Sequence, residues 1–264
     1  SRETTVRDFL TAYTVGAEIE GILGGYLNPK HKQQGWHSTG TLGSIGGAAA
    51  LANLYGLDEE ATARLLSLGA TQSAGLGLEA GSDAKPLHSG FAARNAVFAF
   101  ELLQHTKVTA SERPFNNQNG WQKVFGNLEL DPDELTRRWL RPGQLLEPGL
   151  WMKLHPYCSA AIGGAAACKT LYQQGLRLDG LREVTFHFPP GADTALHYPA
   201  PATGKEGKFS MEYVGWQVLT RGGEDDGLFE LSQVPESFQK ALPKFHRKND
   251  LPPVEKTVRR TVVT

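Results

Sequence analysis

Long hydrophobic runs are missing from this sequence. No apolar stretch approaches the ~18 residues that a membrane helix needs, and no signal-peptide pattern is visible. Cysteine is scarce: Cys158 and Cys168 are the only two, which excludes a disulfide scaffold. Ten residues apart in an apolar, small-residue run, they read as reduced core residues rather than metal ligands. An excess of either charge is also lacking. With 27 Lys+Arg against 28 Asp+Glu, no bulk field favours nucleic acid or an anionic membrane surface. No phosphate-binding G-x-x-x-x-G-K-[ST], dinucleotide G-x-G-x-x-G, H-E-x-x-H or G-x-S-x-G is present, and the eight histidines form no metal-ligand spacing.

Glycine, in contrast, is abundant: 30 of 264 residues, about 11% against a usual ~7%. Most of it lies in segments that read as helices and their connections. Residues 4–23 keep apolar side chains at three-to-four spacing (Val6, Phe9, Leu10, Tyr13, Val15, Ile19, Ile22, Leu23), which predicts an amphipathic helix with one buried stripe. A loop holding Tyr26, Asn28 and Pro29 follows. Residues 41–55 (TLGSIGGAAALANLY) lack a polar face, so that helix is expected to be buried, with its glycines and alanines admitting close neighbours. Asp58 opens a third helix with Glu59 and Glu60 in its first turn. A glycine-rich loop, 75–83, leads to a fourth over 86–105, with Leu87, Phe91, Val97, Phe98 and Leu102 as its stripe.

Near Gly143 the character changes. A small-residue helix is predicted over 159–174, a strand over 184–188 (VTFHF), a helix over 209–219, and β-rich sequence over 255–263. The strand at 184–188 and residues 258–263 are expected to share one small α+β unit. Glu224-Asp225-Asp226 reads as a solvated turn. The expectation is a mainly α chain: an all-helical domain over 1–145 and a smaller α+β domain over 146–264.

Four segments carry candidate chemistry. In 35–43 (GWHSTGTLG), Ser38, Thr39 or Thr41 can cap the buried helix, whose free N–H groups would then face whatever lies beside His37. In 83–90 (DAKPLHSG), Pro86 suits a first helical turn and places Lys85 at the helix mouth, where carboxylates bind readily. His88, one turn inside, is either a ligand-facing or a satisfied core histidine. Lys153, His155 and Tyr157 fall within five residues, and 208–213 (KFSMEY) adds Ser210 and Tyr213. Helix mouths lined by His and Lys suit a small anion.

In order and separation, GWHSTGTLG (35–43), LDEEATARLLSLGATQSAGL (57–76), KPLHSGFAARNAV (85–97), MKLHPYC (152–158) and KFSMEY (208–213) resemble the MmgE/PrpD family. The family includes 2-methylcitrate dehydratase, cis-aconitate decarboxylase and an iminodisuccinate epimerase. The resemblance implies a large helical domain with an α+β lid, a homodimer, a cytoplasmic location and a small polycarboxylate substrate. It implies neither metal nor organic cofactor, and neither nucleic-acid nor membrane partners. The active site is implied to lie between the domains.

It further implies catalytic roles for His37, Lys85 and Tyr213, and substrate contacts for Thr39, His88, Lys153, His155 and Ser210. The shared chemistry is removal of a proton α to a carboxylate, most simply in a hydro-lyase. Family segments with an A-H-x-x-D-[FY]-D-D-type motif would precede Arg2, and closing strands and helices would follow Thr264, leaving both domains incomplete at the chain ends. Two positions depart from the pattern. Ile162 stands where many members have a histidine, four residues after Cys158, and His155 stands where the motif usually has tyrosine. These departures raise the standing of a decarboxylase or an epimerase, and a family member that only binds ligand is a third reading.

Overall fold

The computed structural model describes residues 3–28, 30–115, 117–126, 130–254 and 260–264. Its helices are α1 (Val6–Leu27), α2 (Lys30–Gln33), α3 (Ser38–Tyr55), α4 (Glu59–Ala70), α5 (Ala84–His105), α6 (Trp121–Gly126), α7 (Pro132–Arg138), α8 (Ile162–Gln173), α9 (Gly204–Gly207), α10 (Met211–Arg221) and α11 (Glu236–Ala241). The strands are β1 (Val184–His187), β2 (Phe245–Lys248) and β3 (Val262–Val263). The protein is mainly α, with one small sheet. It divides into two compact units: Ser1–Glu79 with Asp83–Trp151, and Ala80–Ser82 with Met152–Thr264.

In the first unit α3 is central, and α1, α4 and α5 pack around it. Each approaches at a small residue. A Cβ on Gly16 of α1 would lie 2.7 Å from the Gly46 carbonyl oxygen. One on Gly69 of α4 would lie 2.8 Å from the Ser44 oxygen, and Gly47 faces Ala96 of α5. This is the close backbone approach that the run 41–55 predicts. Asp58 caps α4 by accepting the Ala61 N–H, as its position suggests.

The apolar stripes of α1 and α5 are a different matter. Val6, Phe9, Leu10 and Tyr13 are at least half exposed, and Leu87, Val97 and Phe98 are more than half exposed. Of the α1 stripe, Ile22 and Leu23 are buried as expected; the buried faces otherwise carry Ala12, Gly16 and Leu27 on α1, and His88, Ala92, Ala96, Ala99 and Phe100 on α5. The closest approaches to the glycine-rich helix are made by small residues, and much of the bulky stripe turns outward. Helix α1 also runs into the predicted loop, taking in Tyr26 and ending at Leu27 with Asn28 as its C-cap; Pro29 lies outside the described residues.

In the second unit the strand order is β2-β1-β3, with β1 parallel to β2 and antiparallel to β3. The pairing of Phe186 with Val263 joins the two stretches expected to share a unit; residues 255–259 lie outside the described residues. The core under the sheet gathers Phe186, Phe188, Met211, Val214, Leu219 and Phe229. Strand β2 (FHRK) is not evident from the sequence, because one of its inward residues is charged. Arg247 is held there by Glu212, which is buried on α10. Cys168 is buried in this core, Cys158 is partly buried, and both are free thiols. Among the described residues, no helix is long and apolar enough to cross a membrane.

Candidate active site

Two glycine-rich segments of the first unit build the candidate site. Gly35, at φ +93°, turns the chain so that 35–37 runs beside 75–77. The His37 N–H donates to the Gly75 carbonyl (3.0 Å) and the Gly77 N–H to that of Gly35 (2.6 Å). Helix α3 then starts at Ser38, earlier than the sequence suggests, with His37 itself at the N-cap and no side-chain cap. Ser38, Thr39 and Thr41 therefore do not cap it. The Thr41 hydroxyl is engaged elsewhere. His31 Nδ1 faces the Phe125 carbonyl (3.1 Å) and must donate, so its Nε2 accepts from Thr41 at 2.7 Å. With no cap, the Ser38 and Thr39 N–H groups make no hydrogen bond among the described residues. They present the positive end of an 18-residue helix. Thr39 is exposed beside them.

Helix α5 begins alongside, at Ala84, also without a side-chain cap from the preceding Asp83. Lys85 and Pro86 occupy its first turn, Lys85 half-buried. His88 is buried, and its Nδ1 lies 2.7 Å from His37 Nδ1, with the rings tilted by 47°. Only one proton fits between two nitrogens at that distance, so one ring donates and the other accepts. His37 is pushed down to about 4, first by burial, then by the Lys85 charge, then by His88. His37 is thus neutral at pH 7, beside the charge of Lys85. A cavity of about 130 Å³ opens here, lined by Gly40, Gln72, Gly75, His88, Phe91 and Asn95. Gly40 is required at this point: a Cβ would lie 2.2 Å from the Ala74 carbonyl oxygen.

The second unit holds the remaining predicted residues. Lys153 is exposed in an irregular segment. His155 stacks on Tyr157 and pairs through Nδ1 with Glu224. Ser210 is buried as the N-cap of α10, accepting from the Tyr213 N–H and donating to Glu212. Tyr213 is fully buried; its hydroxyl donates to the Leu228 carbonyl (2.9 Å), and burial above all pushes it up to about 12. The proton that sequence reasoning assigned to catalysis is thus held by a backbone carbonyl in the core.

The structure therefore brings His37, His88 and Lys85 together in one unit and joins Ser210 to the Tyr213 backbone in the other. Glu224 escaped sequence reasoning because Glu-Asp-Asp reads as a solvated turn. Instead, Glu224 pairs with His155, while Asp225 caps a short turn and pairs with Arg221. Among the described residues, no group of three or more His, Cys, Asp or Glu side chains is arranged to hold a metal ion.

Comparison with known proteins gives two matches. The family model described as MmgE/PrpD N-terminal domain matches residues 1–132. Human cis-aconitate decarboxylase is 23% identical over 224 residues, covering 82% of this chain and 45% of the relative. The chain thus spans about half the length of that curated relative.

Proposed function

Because the chain belongs to the MmgE/PrpD family, we propose that it serves a lyase of small polycarboxylates that works by α-proton removal without a cofactor. One observation carries this reading: His37, kept neutral by burial, is hydrogen-bonded to His88 at the uncapped mouth of α3, with Lys85 at the mouth of α5. A proton next to a free carboxylate is very weakly acidic, because its removal loads a second negative charge onto the same carboxyl group. The Lys85 ammonium and the Ser38 and Thr39 N–H groups offset that charge as the enediolate forms. His37 and His88 orient the substrate by hydrogen bonding; the lowered pKa of His37 keeps it neutral, so it adds no charge that must be neutralised.

In the leading reading the enediolate expels a β-hydroxyl as water, a 2-methylcitrate dehydratase-like hydro-lyase step. Decarboxylation is the second reading, favoured by the activity named for the human relative and by Ile162 at a position where many members have histidine. The test is incubation of the purified protein with candidate acids in deuterium oxide, followed by NMR. Deuterium incorporation or product formation supports the reading, and loss of carbon dioxide separates decarboxylation from dehydration. Lys85→Ala is expected to slow turnover at least ~100-fold while the circular dichroism spectrum is unchanged. Wild-type turnover in that variant, or no exchange with any polycarboxylate, would sink the proposal.

A further inference from the structure

The cavity beside His88 lies wholly within the first unit and is continuous with the mouth of α3. Gly40, in the first turn of α3, forms part of its wall. The His88 ring, which meets His37 through Nδ1, forms another part. Phe91, Ala92 and Ala74 supply the rest of the apolar lining. The room exists because small residues stand there. Gly40 admits the Ala74 carbonyl closer than any Cβ would allow, and Gly75, at φ +116°, adopts a conformation that disfavours a side chain. The volume, about 130 Å³, approaches the ~150 Å³ of an apolar cavity that takes up benzene, so a branch of about four heavy atoms fits.

The polar end of the cavity is made by two amides that hold each other in place. Gln72 Nε2 donates to the Leu68 carbonyl (2.9 Å) and to that of Asn95 (3.4 Å), and Asn95 Nδ2 donates back to the Gln72 carbonyl (3.3 Å). Asn95 Oδ1 accepts from Arg94 (3.2 Å). Gln72 Oε1 has no hydrogen-bond partner among the described residues, so the amides leave over one acceptor and a single Asn95 N–H. No Lys, Arg, Asp or Glu lines the cavity among the described residues. Arg94 is exposed and lies over the Phe91 ring, 5.3 Å from its centroid.

We propose that this cavity is a specificity subsite, which takes a short, uncharged alkyl branch of the polycarboxylate and rejects a carboxylate in the same place. This inference rests on the reading that Lys85 and the mouth of α3 bind the substrate's carboxylates. With those groups at the mouth, a substituent on the neighbouring carbon enters past Gly40 and His88. Each methylene that leaves water for the apolar wall adds affinity. A carboxylate there loses its hydration and finds no cation, one N–H and a facing acceptor, which do not offset that loss.

The test is calorimetric titration of the purified protein with succinate, methylsuccinate, isobutylsuccinate and carboxymethylsuccinate. The isobutyl and carboxymethyl branches share a shape and differ in charge. Isobutylsuccinate is expected to bind at least ~10-fold more tightly than succinate, with methylsuccinate between them. Carboxymethylsuccinate should bind no more tightly than succinate. Phe91 is 44% exposed, so Phe91→Ala removes a wall without emptying the core, and Ala74→Leu narrows the cavity from its exposed rim. Each variant should cut the isobutyl preference below about threefold and leave the Kd of succinate unchanged, with circular dichroism checking the fold. Lys85→Ala should weaken all four acids alike and keep the preference. Equal binding of succinate and isobutylsuccinate in wild type, tighter binding of the carboxymethyl than of the isobutyl acid, or a full preference in both folded variants would each overturn this inference and leave the broader reading standing. No binding of any of the four acids, or binding indifferent to Lys85→Ala, would strike the carboxylate site and the broader reading with it.

Discussion

A histidine pushed down to about 4 couples the candidate site to the stability of its own unit. His37 is lowered first by burial and then by Lys85 and His88, so the folded state resists a proton that the unfolded chain accepts near pH 6.5. The unfolded state therefore binds more protons between those values. Stability is fully present above the unfolded pKa and falls as pH drops from about 6.5 toward 4. His31, also lowered by burial, acts in the same direction. A His37→Gln variant should lose less stability over that interval than wild type, and thermal melts in matched buffers at pH 4.5 and 7 measure the difference. Equal pH slopes would mean that His37 is solvated. None of this is legible at the residue itself. GWHSTG marks His37 as a candidate, but its partner is 51 residues away, and only the folded chain places His88 Nδ1 against it.

Among the elements, α3 decides the packing. Its sequence lacks a polar face, so its burial was readable, and so was its tolerance of close neighbours. Which face of each neighbour meets it was not readable. Periodicity reports a bulky apolar stripe along α1 and α5, yet glycine and alanine make the closest approaches to α3, Leu23, Leu27 and Phe100 pack beside them, and Phe9, Leu10, Leu87 and Phe98 turn outward. Two substitutions separate these effects. Gly69→Ala puts a methyl 2.8 Å from the Ser44 oxygen and should cost about 1–3 kcal/mol, lowering Tm by several degrees. Gly90→Ala on α5 meets nothing within 4 Å and should gain about 0.5–1 kcal/mol from helix propensity alone. Denaturant unfolding of both variants checks the signs.

Over the whole molecule the chain forms two units, each with its own core and its own buried polar anchor. In the first, the Glu18 carboxylate on α1 accepts the N–H groups of Leu140 (2.9 Å) and Gln144 (2.6 Å) and holds the long connection after α7. In the second, Glu212 and Arg247 fasten α10 to β2, and Arg247 also donates to the Leu196 carbonyl. Glu212 is 4% exposed in this pair, so removing the guanidinium strands a buried carboxylate. Arg247→Met should therefore cost about 3–5 kcal/mol, far more than an exposed pair such as Lys240 with Glu236. Thermal unfolding of Arg247→Met and Lys240→Met checks the contrast.

The sequence by itself determined the mainly α class, the order of the long helices, the burial of α3, the strand at 184–188 and the motif segments that mark the family. These follow from local composition and spacing, which act within a few residues along the chain. Only the tertiary structure decided which parts of the α1 and α5 stripes are buried, that the Tyr213 hydroxyl donates its hydrogen bond to the Leu228 carbonyl, and that His37 meets His88. It also set Glu224 behind His155, 69 residues away in sequence. Hydrogen bonds and charge effects between distant residues depend on distances that only the packed chain sets. The pattern of a helix says that it has faces, and its neighbours choose among them.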